Sequence, residues 1–462
     1  MSGLSRNLLN LFCGVLALPL AAAAESPKSP KSTETEISLI KNNILTSGSS
    51  VSDLRDLTQS IGPRLTGSEG ASRSVDWAVA KLQAYQLDRV YRQPVMVPRW
   101  ERGSREAAHI ITNAGSINLA ITALGRSAGT PGLTAQVIEV QSLDEVRSLG
   151  AAVQGKIVFY NRPMNPELED PFEAYGQAVD QRSRGPSLAA SLGAAAVLVR
   201  SMTTLPDDDH PHTGATSFKD GIRPIPAAAL STHAANILSE QLKVNPTLQI
   251  TLELSARNLS DVISYNVIGE ITGSAKPEEI ILVGGHLDSW DLAQGAHDDG
   301  AGVVQTMDVC RAIKGLGLRP LRTIRCVLFM TEELGGIGGD EYAKQAAANH
   351  EHHMMAVESD RGGFAPQKFS VDGSTRDIQS ILAWMPDFAD LGIQDIYQGD
   401  AGTDVAPLKK LGALTMELIP DPKHYFDYHH AATDTFEAVD GNELKAGAAA
   451  LATMVYHFAQ MP

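Results

Sequence analysis

Cysteine is nearly absent, with three in 462 residues. That scarcity excludes a small scaffold built on disulfides and leaves the fold to an apolar core, which a chain of this length can bury. Basic residues are also in deficit, 38 against 54 acidic ones, for a formal charge of −16. Binding phosphates needs a basic face, so a nucleic-acid role is disfavoured. The apolar run at residues 8–20 is short for a membrane span and has no stop-transfer pattern after it. A G-x-S-x-G elbow between strand and helix is missing, as is a glycine-rich phosphate loop with its lysine. Serine-hydrolase and phosphate-loop chemistry lose their usual signatures.

The run at 8–20 follows Arg6 and precedes "LAAAAES", the small residues of a cleavage site near Ala24. Residues 1–24 therefore read as a signal peptide, and the mature chain as exported, periplasmic or extracellular, with no membrane anchor. "SPKSPKSTETE" reads as a disordered lead-in. Cys310 and Cys326 are expected as buried free thiols on a helix and the next strand, with a disulfide as the alternative in an oxidising compartment.

Apolar residues at three- and four-residue spacing predict helices from about residue 39 to 91, broken at Gly62-Pro63. Residues 25–121 are assigned to the first part of a catalytic domain. In residues 122–254, short apolar strands such as "GKIVFYN" and "AAAVLVRS" alternate with glycine and proline turns, as in an inserted β-rich module. From 255 to 462 strands alternate with helices, and the strands are almost wholly apolar. The expected fold class is α/β, a mostly parallel sheet sandwiched by helices. Function in such sheets gathers at the carboxyl ends of strands.

Charge gathers there too. His286 and Asp288 end "EIILVGGHLD", Asp298 and Asp299 open the following helix in "HDDGAG", and Glu332 and Glu333 end "RTIRCVLFMTEE". Asp360 ends "HMMAVESD", and His430 lies in "DYHHAATDT". Taken singly, His-x-Asp is more often a satisfied structural histidine, a Glu pair is solvated charge, and "HDDG" is a helix cap. Together they supply neutral imidazole and carboxylate, the donors zinc takes, with a carboxylate left over as a base. "NHEHHMM" fails as H-E-x-x-H because Met354 holds the needed position. "PDDDHPHTG" reads as an exposed loop, with cation binding or a reach toward the cleft as alternatives.

The set HxD, DDGAG, EE, ESD and HxxxDT resembles the co-catalytic zinc exopeptidases of the aminopeptidase and glutamate carboxypeptidase superfamily. "GPRLTGSEG", "GHLDSWD", "PHTG" and "GTDVAPL" extend the likeness over nearly all of the mature chain. The resemblance implies two Zn2+ ions, one held by His286, Asp298 and Asp360 and the other by Asp298, Glu333 and His430. It implies Glu332 as general base, Asp288 as the orienter of His286, and a protease-associated module over 122–254. Asp299 is expected to cap the helix, and Ala293 stands where the family pattern has glycine. Short peptides or dipeptides are the implied substrates, and a homodimer is an expectation from the family alone. Two alternatives stay open: a non-catalytic binding protein on this scaffold, and a single-zinc transferase of the glutaminyl cyclase type.

Overall fold

A computed structural model describes residues 30–112 and 115–462. The signal-peptide reading lies outside the described residues. Part of the expected lead-in is ordered: Pro30–Ser47 is a helix whose Ile37, Ile40 and Ile44 are buried. Their three- and four-residue spacing makes one apolar stripe, and docking it outweighs the weak helix propensity of Ser and Thr.

Eight strands form the first sheet, in the order Arg89–Glu101, Arg257–Ile271, Arg322–Phe329, Lys276–His286, His352–Glu358, Leu414–Pro420, Pro366–Asp372 and Asp395–Gln398. Four of its seven neighbouring pairs are parallel, in line with the expected mostly parallel sheet, and three are antiparallel. The four strands from Arg322–Phe329 to Leu414–Pro420 run parallel to one another, with an antiparallel neighbour on either side. The central strands Lys276–His286 and Arg322–Phe329 are apolar on both faces. Ile281, Val283, Cys326 and Leu328 pack under the helices Ala301–Gly315 and Gly441–Gln460. The alternating residues Leu282, Val327 and Phe329 pack on the other side against Tyr342 and Leu408. Each such side chain contributes about 1.5–3 kcal/mol on full burial.

Cys310 and Cys326 form a disulfide, contrary to the expectation of free thiols. The helix Ala301–Gly315 lies on the strand Arg322–Phe329, and both cysteines point into the same layer.

The long antiparallel pair Arg89–Glu101 and Arg257–Ile271 carries the chain out of this sheet and back. Between them, residues 106–254 form a second eight-stranded sheet with its own cores. Its first strands, Glu106–Thr112 and Gly115–Leu119, precede residue 122. The two sheets meet where Trp290 packs on Gly125, whose place a side chain could not share: a Cβ there would lie 2.2 Å from the indole.

Candidate metal centre

Register brings the acids together. In the parallel centre His286 pairs with Phe329, and Gly284 pairs with Glu358. Asp360, two residues past Glu358, thus stands level with His286, and Glu332 and Glu333 follow Phe329 on the other side. Asp298 and Asp299 sit between the His286 strand and the helix Ala301–Gly315, in non-helical conformations joined by a cis peptide. The helix approaches so closely that a Cβ on Gly302 would lie 1.9 Å from the Ser359 carbonyl oxygen. This contact explains the glycine in "DDGAG". Asp299 accepts from the N–H groups of Gly302 and His286, both at 2.9 Å. It caps the helix, as expected, and joins it to the strand.

Asp298 divides its two oxygens. Oδ1 lies 3.2 Å from His286 Nε2, and Oδ2 lies 3.3 Å from His430 Nε2. Asp360 Oδ1 stands 3.1 Å from the first imidazole, and Glu333 Oε2 stands 3.1 Å from the second. The five residues expected as ligands therefore converge around one carboxylate. Nδ1 of His286 donates to the Asp288 main-chain carbonyl at 3.0 Å, and Nδ1 of His430 to the Thr213 carbonyl at 3.3 Å. Those bonds engage both Nδ1 atoms and turn both Nε2 atoms inward toward the carboxylates.

Asp288 meets His286 Nδ1 through its main-chain carbonyl, and its side chain has a further part. Its carboxylate is 3.7 Å from His286 Nδ1 and instead accepts from the N–H groups of Thr331 and Glu332, at 2.7 and 3.2 Å, and from the Thr66 hydroxyl. It thus anchors the turn that carries both glutamates. Thr331 there has φ 79°, and His430 has φ 61°. Such conformations cost non-glycine residues about 1–3 kcal/mol each and persist only where surroundings enforce them.

The charges are poorly matched without a cation. Burial, with the negative charges of Asp360, Glu333 and Asp404, pushes the Glu332 carboxyl well above its usual range. Burial and Asp298 raise Glu333 to about 7. Burial opposes ionisation of Asp298, yet hydrogen bonds from both imidazoles hold its carboxyl well below the ordinary value. Burial likewise opposes charge on His430, but Glu333 and Asp298 raise it to about 9. Glu333 Oε1 is buried with no hydrogen-bond partner. An orphaned carboxylate oxygen, two inward imidazole nitrogens and a surplus of buried acids fit divalent metal ions.

Asp299 and His429 also lie within 4.8 Å of these donors. Asp299 has both oxygens committed to main-chain N–H groups. His429 stacks on His430 at 3.6 Å, and burial, together with the positive charge of His430, holds its imidazole well below the usual range. A cavity of about 510 Å3 opens over the cluster, with Glu332, Asp360 and His430 on its floor and Phe172, Tyr175 and Arg182 from the second sheet on its wall. Arg361, which lines the same cavity, is held by Glu417 through bonds of 2.8 and 2.6 Å.

Several supporting residues escaped the sequence reading. Arg64 is fully buried and donates to the carbonyls of Gly62, Leu287, Gln294 and Gly295, fixing the loop after His286. Burial pulls its guanidinium down to about 10, against the pull of Asp434, Asp288, Asp299 and Asp298. Asp434 accepts from the N–H groups of His297 and Asp298, holding the bridging aspartate in place. A signal existed only in part: "GPRLTGSEG" and the Asp-Thr after His430 stood out as family-like, without a stated role.

The sequence pattern of Peptidase family M28 matches residues 266–455, the span that carries His286 to His430. Human carboxypeptidase Q is 35% identical over 407 residues, covering 88% of this chain and 84% of that protein. The crystal structure of a peptidase M28 precursor from Shewanella amazonensis superposes with a TM-score of 0.89 at 36% identity, over 93% of this chain and 97% of that one. A zinc aminopeptidase from Bacillus subtilis shares the fold, with a TM-score of 0.65 at 21% identity over 88% of this chain and 94% of that one. Likeness sustained through both sheets and across the cluster makes this chain a member of peptidase family M28, a metallopeptidase.

Proposed function

We propose that the protein is an exported exopeptidase that holds two zinc ions and hydrolyses short peptides or dipeptides. The observation carrying this reading is the division of Asp298, one oxygen toward His286 and the other toward His430. His286, Asp298 and Asp360 are the residues for one ion, and Asp298, Glu333 and His430 for the other. Zinc at such a site supplies Lewis acidity for the scissile carbonyl and lowers the pKa of a water toward neutrality.

The chain's own residues do the rest. Glu332, on the cavity floor, accepts the proton of the attacking water and delivers it to the departing amine. Its raised proton affinity suits a group that must take a proton and release it within one turnover. Asp288 keeps Glu332 in position through the main chain, so the base does not depend on its own side-chain contacts. Phe172 and Tyr175 wall the cavity and limit its access to bulk water. A shallow volume of this size suits a short peptide better than a folded protein.

The test follows one unblocked pentapeptide and its component dipeptides by mass spectrometry with zinc-loaded protein. Stepwise loss from one end supports the exopeptidase reading, and cleavage of dipeptides alone narrows it to a dipeptidase. Intact peptides with zinc still bound would move a binding role ahead.

A further inference from the structure

We propose that His212 is a positioning residue for His430, through which the second sheet sets the geometry of one half of the metal centre. This rests on the metal reading of His430 above. "PDDDHPHTG" reads as an exposed loop from sequence, but His212 and Thr213 are fully buried. His212 Nδ1 donates to the His429 carbonyl at 2.7 Å, and Thr213 N donates to the His430 carbonyl at 2.9 Å. In return His430 Nδ1 donates to the Thr213 carbonyl at 3.3 Å.

These bonds bear on a strained residue. The His429 and His430 carbonyls belong to the peptide planes on either side of the His430 Cα, so bonding both fixes its φ and ψ together. Left alone, an L-residue would leave φ 61° for the ordinary helical or extended regions. That change would swing the imidazole away from Asp298 and Glu333. The clamp is itself anchored: His212 N donates to Ser201 Oγ at 2.8 Å, and Thr213 Oγ1 donates to the Ala123 carbonyl at 2.8 Å. Asp208 stands 3.5 Å from His212 Nε2, on the side away from the cluster. The neighbouring imidazoles of His210 and His233 are half-exposed and paired with Asp208 and Asp207. They leave His212 as the one histidine of this group directed at the site.

The experiment measures metal per chain by mass spectrometry after zinc-loaded protein is equilibrated with graded dipicolinate. Asparagine places an amide N–H near the position of Nδ1, whereas glutamine places it near Nε2. The H212Q protein is expected to release one metal at ~10- to 100-fold lower chelator than wild type, the usual effect of removing a group that orients a ligand. The H212N protein is expected to follow the wild-type curve, and the H430A protein to lack that metal from the outset. Two metals retained by H430A would overturn the metal reading itself. A missing metal in H430A beside a wild-type curve for H212Q would overturn the positioning role alone. If H212Q does not fold, histidine 15N NMR of the wild-type zinc protein decides: a proton on Nδ1 of His212 supports the clamp, and one on its Nε2 with Nδ1 bare refutes it.

Discussion

Replacing Glu332 with glutamine keeps shape and volume while removing the proton acceptor. General-base groups contribute about 10²–10⁴-fold to rate. The upper part of that range is expected here, because the carboxylates beside it each have at least one oxygen engaged. Asp298 faces two imidazoles, Asp360 faces His286, and Glu333 faces His430. Asp288 is filled by two N–H groups and a hydroxyl. A loss in kcat of ~10³–10⁴ is therefore expected, equivalent to about 4–5.5 kcal/mol of barrier. Stability should move the other way. Burial and the like charges of Asp360, Glu333 and Asp404 raise the Glu332 carboxyl, so above the unfolded pKa ionisation favours the unfolded chain. The metal-free E332Q protein should consequently melt at a higher temperature than metal-free wild type at pH 7. The assay pairs dipeptide turnover with zinc content and thermal melting. Activity within tenfold of wild type, or loss of zinc from E332Q, would refute the assignment.

Asp298→Asn should lower zinc per chain by at least one ion, and full retention of both would rule out a bridging part for this residue. Replacing both Cys310 and Cys326 with alanine opens a loop of sequence separation 16 and should cost about 3 kcal/mol, read from the urea midpoint. An unchanged midpoint would contradict the bond. His353 is buried against the Tyr342 hydroxyl, and burial, with Arg325 and His352 nearby, pulls its imidazole down to about 3. The unfolded chain takes up that proton near pH 6.5, so stability is complete above this pH and falls by about 1.4 kcal/mol per pH unit toward pH 3. H353Q should flatten the acid-side slope by that amount, and an unaltered slope would refute the burial argument.

The parallel centre of the first sheet was legible because strands covered on both faces must be apolar throughout. Its antiparallel flanks were not, since a strand such as Pro366–Asp372 has the composition of many loops. The residues at the strand ends were legible as a set because acids gathered beside imidazoles at the ends of buried strands are costly unless a cation balances them. The cysteine pair was not legible: two apolar-looking positions on consecutive elements carry no mark of whether their sulfurs meet. The helix at Pro30–Ser47 was partly missed because its first turns are polar and only the later isoleucines reveal the stripe. The clamp by His212 and Thr213 was legible only as the alternative that "PHTG" reaches the cleft, since its bonds join residues 217 positions apart.

Both inward-facing imidazoles take their tautomer from a main-chain carbonyl, that of Asp288 or of Thr213. A carbonyl is common to every amino acid, so no side-chain exchange at either position can delete the acceptor. Position 213 is constrained in another way, by its burial and by the hydroxyl that donates to the Ala123 carbonyl. Drift in the second sheet is limited instead where side chains hold that backbone in place, as at His212 and Thr213. An engineer recomposing that sheet would have to keep those two side chains together with the peptide planes they hold.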